Sequence, residues 1–313
     1  MKYKKDFLTI IAPCFNEEEG IGRFLDVLTR QMDGSNQDYE IICVDDGSRD
    51  RTIDILKKAA EKNIHCRYIS FSRNFGKESA MLAGLEHASG DMVIIMDSDL
   101  QHPPELIPQM IQKHKEGYDQ VIACRDRSGD KKSSIFFAKM YYRIVNHLIN
   151  VQLQDGAGDY RLLSRRAVEA IISMRETNRF SKGLFSWVGY KQTAIYYKNQ
   201  QRLEGESKWS FKSLLRYGID GIISFNTSPL MGCVYLGGTL LTISILYLLY
   251  IFINIVFNGI DVPGYFTTIA IIILTSGTQL LSLGIIGEYV GRIYFESKRR
   301  PAYLIMDTNI EDE

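Results

Sequence analysis

Short aliphatic and β-branched runs punctuate the first half of the chain, at Phe7–Ala12, Glu40–Val44, Arg67–Phe71, Met92–Met96 and Gln120–Ala123. Between them, apolar positions recur at helical spacing over roughly Glu18–Gln31, Thr52–Lys62, Lys77–Ala88 and Glu105–Glu116. This alternation predicts an α/β fold, a mostly parallel sheet flanked by helices on both faces. Ligands bind such sheets beyond the carboxyl ends of the strands. Polar residues gather at those ends: Asn16-Glu17, Asp45-Asp46, Arg73-Asn74, Asp97 with Asp99, and Arg125. Packing alone does not require polar residues at one end of every strand.

The second half reads differently. Phe137, Met140, Tyr141, Ile144 and Leu148 share one face of a helical pattern over 133–150, beside Lys139, Arg143 and His147. Over Trp209–Phe225 a similar stripe (Phe211, Leu214, Leu215, Ile222, Phe225) is flanked by Lys208, Lys212 and Arg216. A basic amphipathic helix just ahead of a membrane span fits the lipid headgroup layer. A surface helix packed on the head is the alternative for both segments. Met231–Phe257 then runs without a charge, and about 20 apolar residues suffice to cross a bilayer. Tyr265–Gly287 forms a second span, softened by residues such as Thr275 and Gln279.

The link between the spans, Asn258–Gly264, holds no Lys or Arg, whereas Lys208, Lys212, Arg216, Arg292, Lys298, Arg299 and Arg300 flank the pair. The positive-inside rule therefore puts the head and both termini in the cytoplasm. Ser276, Gly277, Ser282 and Gly284 predict close helix packing, within the hairpin or between protomers of a homo-oligomer. The expected organisation is a head over 1–208, a juxtamembrane helix over 209–228, a hairpin over 229–291 and a cytosolic tail over 292–313.

Lys+Arg and Asp+Glu balance at 37 each in 313 residues, so no global charge is directed at nucleic acid. The balance hides an asymmetry, because Asp261 is the sole charged residue between Asp220 and Glu288. Cys14, Cys43, Cys66, Cys124 and Cys233 are scattered without CxxC spacing, as expected of reduced thiols rather than a disulfide framework or zinc site. The N-terminus runs from MKYKKD straight into the first strand, without the pattern of a signal peptide.

Asp97-Ser98-Asp99 closes the apolar strand DMVIIM. Two carboxylates at i and i+2 concentrate negative charge that a cation must compensate. Oxygen ligands favour Mg²⁺ or Mn²⁺ bridging to phosphates. In Asp45-Asp46-Gly47-Ser48, one carboxylate is free to meet a base N–H while Ser48 or Asp50 caps the helix from Thr52. PCFNEE reads as a helix start favoured by its carboxylates. Neither a Walker A sequence nor G-x-G-x-x-G occurs.

PCFNEEE, VDDGS, SRNFGKE, DSDLQHPPE and GDYRLLSR, in that order, resemble the family 2 glycosyltransferases of GT-A fold. More narrowly the chain is similar to the polyprenyl-phosphate hexosyltransferases, of the dolichol-phosphate mannose synthase and GtrB bactoprenol glucosyltransferase type. The two-span tail matches the GtrB-type layout. The resemblance implies that Pro13, Asn16 and Glu17 lie near the ribose and base, and that Asp45 reads the uracil. It implies a donor-binding set that includes Asp46, Arg73, Lys77 and Ser98, and a metal held by Asp97, Asp99 and Gln101. Arg125 and Arg127 would meet acceptor phosphate, while Asp159 and Arg161 sit near the reacting centre. Arg202, Ser207 and Lys208 would lie near phosphates. Gly158 and Tyr160 stand where the family commonly has Ser and Phe.

The implied reaction is inverting transfer of a hexose from a UDP-sugar to polyprenyl phosphate in the plasma membrane, with a separate flippase for the product. UDP-glucose is the first choice of donor, ahead of UDP-GlcNAc and GDP-mannose. An acceptor phosphomonoester with a second pKa of about 6 is already anionic near neutrality, so neutralising charge matters more than removing a proton. Asp159 is accordingly read as positioning the acceptor or a sugar hydroxyl, with proton abstraction as the alternative. A processive polysaccharide synthase would need a larger membrane bundle and a Q-x-x-R-W element. A soluble nucleotidyltransferase would need a glycine-rich basic loop near its N-terminus, and a non-catalytic scaffold would need no such set of charges.

Overall fold

The computed structural model describes residues 4–126, 156–198, 228–258 and 264–311. Arg127, Arg202, Ser207, Lys208 and the two amphipathic segments over 133–150 and 209–225 lie outside the described residues. The chain forms two units, Met1–Gly221 with Arg300–Glu313, and Ile222–Arg299.

In the first unit, strands β1 (Lys4–Cys14), β2 (Asp38–Asp45), β3 (Cys66–Phe71), β4 (Gly90–Ile95) and β5 (Gln120–Asp126) alternate with helices α1 (Ile21–Asp33), α2 (Thr52–Lys62), α3 (Lys77–His87) and α4 (Ile107–Lys115). There follow β6 (Ala157–Ser164), α5 (Arg165–Ser173), α6 (Ser181–Trp187) and β7 (Gln192–Lys198), and much later β8 (Ile305–Thr308). The sheet order is β7-β5-β6-β4-β1-β2-β3-β8. Parallel pairing joins β4, β1, β2 and β3, as the strand–helix alternation predicts. Apolar clusters lie on either side, one under α1, α2 and α4, the other under α3, α5 and α6. That is why the parallel strands read as continuous apolar runs rather than alternating ones.

Three strands depart from the sequence reading. Most of GDYRLLSR lies in β6, which is inserted antiparallel between β4 and β5, so β5 does not pair with the parallel strands. Gln192–Lys198 adds a parallel strand beyond β5. Ile305–Thr308, in the segment read as a tail, runs antiparallel along β3. Gly84 shows how tightly α3 lies on β1: a Cβ there would come within 2.3 Å of Ile11 Cγ2.

The second unit is a pair of helices, α7 (Ser228–Asn258) and α8 (Tyr265–Ser297). Both are long and apolar enough to cross a membrane. Within α8, Arg292 and Glu288 pair at 3.4 Å, one turn apart.

Candidate active site

Among the described residues, the predicted ones gather at the carboxyl edge of the parallel strands. PCFNEE does not start a helix: Pro13 and Cys14 end β1, and the rest is a turn with Asn16 at φ 53°, a conformation asparagine tolerates. Its amides are satisfied by the loop after β2 instead: Asn16 N–H donates to Ser48 Oγ (2.8 Å), Glu17 N–H to Thr52 Oγ1 (2.9 Å) and Glu18 N–H to Asp50 Oδ2 (3.1 Å). Asn16 Oδ1 in return accepts Arg49 N–H at 2.9 Å. Asp50 also accepts Thr52 N–H, although the cap position of α2 is Arg51 and neither Ser48 nor Asp50 occupies it.

A cleft of about 570 Å³ opens beside these loops, lined by Asn16, Asp45, Ser48, Arg49, Lys57, Ser70, Arg73, Met306 and Asp307 among others. The volume lies within the usual range for small-molecule sites. Asp45 is buried there, its carboxylate accepting Ser70 Oγ–H (2.8 Å) and Ser48 N–H (3.1 Å). Asp46 turns elsewhere. Its carboxylate accepts the amides of Phe75 (2.7 Å) and Gly76 (2.9 Å), fixing the loop that carries Arg73 and leads to Lys77. Burial pushes its carboxyl up, against the pull of those amides. Gly47, at φ +66°, lets this loop approach Arg73 so closely that a Cβ would meet its carbonyl carbon at 2.4 Å.

Two strands along, beyond β4, lies a second cluster. Lys77 Nζ stands 2.5 Å from Asp97 Oδ1 and 2.6 Å from Asp159 Oδ2, bringing together residues 82 positions apart. Desolvation opposes the charged ammonium, but the fields of Asp159 and Asp97 outweigh it and hold Lys77 above its ordinary value. Burial likewise opposes ionised Asp159, yet Lys77, Lys182 and Arg161 keep its carboxyl well below the usual range. Ser98 ties the loop to β1 by donating to Pro13 O (3.3 Å), and Gln101 N–H donates to Asp99 Oδ1 (3.1 Å). Leu100 turns the chain between them at φ 58°, a costly conformation for a side chain of its kind.

Arg125 closes β5, where its N–H meets Gly156 O at 3.0 Å. Arg161 is only 3% exposed, its guanidinium 3.9 Å from the Phe185 ring centroid, with Nη2 donating to Gly158 O. It acts on this site through its field on Asp159.

Residues 9–172 match the model of glycosyl transferase family 2, and residues 228–293 match the GtrB C-terminal hairpin. The chain belongs to glycosyl transferase family 2. It is 49% identical to the Bacillus subtilis glycosyltransferase CsbB, over 99% of this chain and 94% of that one. It is 40% identical to the bactoprenol glucosyl transferase of Shigella phage SfV, over 95% of this chain and 97% of that one. The prophage bactoprenol glucosyl transferase homolog of Escherichia coli K12 is 38% identical over 95% and 98%.

In this family 2 glycosyltransferase, sequence reasoning passed over several residues that shape the site. His102 Nδ1 accepts Asp97 N–H (2.9 Å), and its ring stacks on Tyr160. Tyr160 O–H in turn donates to Pro103 O (2.9 Å), so the departure from Phe pins the HPP turn. Tyr197 on β7 is pushed up to about 12 by burial and by the fields of Asp97 and Asp99, against that of Arg125. Glu78 accepts both the amide and the hydroxyl of Ser181, anchoring α6 beside α3. Strand β7 was not legible in the sequence, so nothing there brought Tyr197 here.

Proposed function

We propose that this glycosyltransferase moves a hexose, glucose first, from a UDP-sugar to polyprenyl phosphate with inversion at the anomeric carbon. The reading rests on one arrangement above all. Asp97 and Asp159 converge on one ammonium, Lys77, along the same sheet edge as a cleft of nucleotide size. Two of the relatives carry names that specify glucosyl transfer to bactoprenol, and the hairpin match supports a lipid acceptor.

A phosphate oxygen of the acceptor bonds to the sugar C1 as the bond from C1 to the diphosphate breaks, and UDP leaves. Both partners are anions, so the site must cancel charge rather than abstract a proton. Asp97, Asp99 and Gln101 offer only oxygen ligands, and Asp97 already draws a cation in Lys77. A Mg²⁺ or Mn²⁺ ion takes oxygen ligands and keeps some of its water, so two carboxylates and an amide oxygen are a fitting donor set. A bound Mg²⁺ or Mn²⁺ would supply charge neutralisation on the leaving diphosphate. Lys77 and Arg73 add fixed positive charge, Asp45 orients the base, and Asp159 positions the acceptor or a sugar hydroxyl. Arg125 and Arg127 receive the acceptor phosphate.

The membrane arrangement follows from chain order. β8 is a strand of the head's own sheet, so the chain that leaves the head before α7 returns to it after α8. Together with the basic flanks, this supports a hairpin with head and both termini in the cytoplasm.

The test is incubation of membranes containing the protein with labelled UDP-glucose, UDP-GlcNAc or GDP-mannose, with and without Mg²⁺ or Mn²⁺. Organic extraction should recover a glucose-labelled, mild-acid-labile lipid that depends on the metal. Label confined to aqueous polymer, or no lipid product from any donor, would overturn the proposal.

A further inference from the structure

The C-terminal strand carries a feature that the sheet itself does not need. β8 pairs Asp307 with Ser70 and Ile305 with Phe71, so two steps on β8 oppose one on β3 and Met306 is the extra residue of a bulge. Bulges re-aim a side chain and gather at sheet edges and beside active sites. Met306 is 76% exposed, and it lines the cleft.

The strand register adds a second observation. Cys14, Asp45, Ser70 and Asp307 lie in one row across β1, β2, β3 and β8. Ser70 donates to Asp45 on one side of that row, and Asp307 closes its other end. Asp307 Oδ2 meets Lys57 Nζ at 2.5 Å, and both line the cleft. The segment is held in place independently of that pair. Ser72 N–H donates to Leu304 O (3.0 Å), Tyr68 N–H to Asn309 Oδ1 (2.8 Å) and Thr308 Oγ1–H to Tyr68 O (2.8 Å), while Tyr303 stacks on Phe71.

The geometry points to the strand that follows the membrane hairpin as the outer wall of the donor-nucleotide site, with Met306 contacting the nucleoside and Asp307 positioning Lys57 at its rim. This rests on the reading of the Asp45 cleft as the donor site. A bulged thioether is a flexible, polarisable surface suited to a flat base or a ribose face. Met306 touches the non-reacting part of the donor, so it sets donor affinity rather than the rate of the chemical step. The head thus depends for donor binding on a segment that emerges only after both apolar helices.

The experiment measures UDP binding by calorimetry, and steady-state transfer, on the full-length protein in lipid nanodiscs. Met306→Ala should weaken UDP about five- to ten-fold, the size expected for removing a partly covered thioether contact, and raise the donor KM in parallel with kcat little changed. Asp307→Asn and Lys57→Gln should each weaken UDP, and the double variant should be no worse than the stronger single. Thermal melts of Met306→Ala should match the wild type, because the residue is exposed. UDP affinity within two-fold of wild type in both Met306→Ala and Asp307→Asn would overturn the inference. Asp45→Asn separates the two levels: if it leaves UDP binding intact, the cleft is not the donor site and both readings fall.

Discussion

Lys77 Nζ lies 2.6 Å from Asp159 Oδ2, joining the first turn of α3 to β6. The same ammonium meets Asp97 at 2.5 Å, so one cation serves a carboxylate of β6 and one from the loop after β4. Lys77→Met should cut kcat by about 100-fold or more, the scale seen when one preorganised electrostatic donor is removed. Lys77→Arg should not restore it, because a guanidinium fork cannot replace a point charge between two carboxylates. Near-normal turnover with Met would show the contact to be structural only.

The ionisation of that pair bears on the mechanism. Asp159 is depressed, so its stabilising contribution is complete above its unfolded value of about 3.9 and fades as pH falls through the lower folded value. Lys77 is raised, so its contribution is complete below about 10.4 and fades as pH rises through the higher folded value. The pair is therefore intact from about pH 5 to 9, and Asp159 is a poor base there. A pH profile of kcat/KM compared between wild type and Asp159→Asn should show no inflection in that range that the variant abolishes.

Asp99→Asn should abolish metal-dependent transfer while leaving folding and membrane insertion unchanged. Mn²⁺ binding followed by EPR in the presence of UDP should weaken in the same variant. Unchanged Mn²⁺ affinity would remove Asp99 from the ligand set.

Asp46 is buried and holds the amides of Phe75 and Gly76. Asp46→Ala leaves those donors without their acceptor, at a cost of about 1–3 kcal/mol. The melting temperature should fall, and transfer should drop because Arg73 and Lys77 lose their fixed loop. A variant that binds UDP and turns over normally, at unchanged melting temperature, would refute that role.

Tyr160→Phe keeps the ring stack on His102 but loses the 2.9 Å bond to Pro103 O. Stability should fall by about 1 kcal/mol, with transfer within two-fold of wild type. Denaturant unfolding checks the first expectation. A large loss of activity instead would mean that the HPP turn positions Asp97 through this hydroxyl.

The local pattern of the chain determined the central parallel strands, their covering helices and the two apolar spans. Helix α2 spans the same residues as its pattern, because apolar spacing and an acidic start agree there. α1 starts later than predicted, at Ile21, after a turn in which Asn16 takes a left-handed conformation and Ser48, Thr52 and Asp50 hold the amides of residues 16–18. The aspartates at strand ends were equally legible, since a charge closing an apolar run stands out in one dimension.

Only the tertiary structure brought Lys77 between Asp97 and Asp159, turned Asp46 away from the cleft and stacked Arg161 on Phe185. These depend on pairings between distant segments, which no local window contains. β6 becomes a strand because β4 and β5 offer it two edges, and β8 because β3 offers one. Neither segment carries that edge in its own sequence, so the last wall of the cleft was visible only once the sheet had assembled.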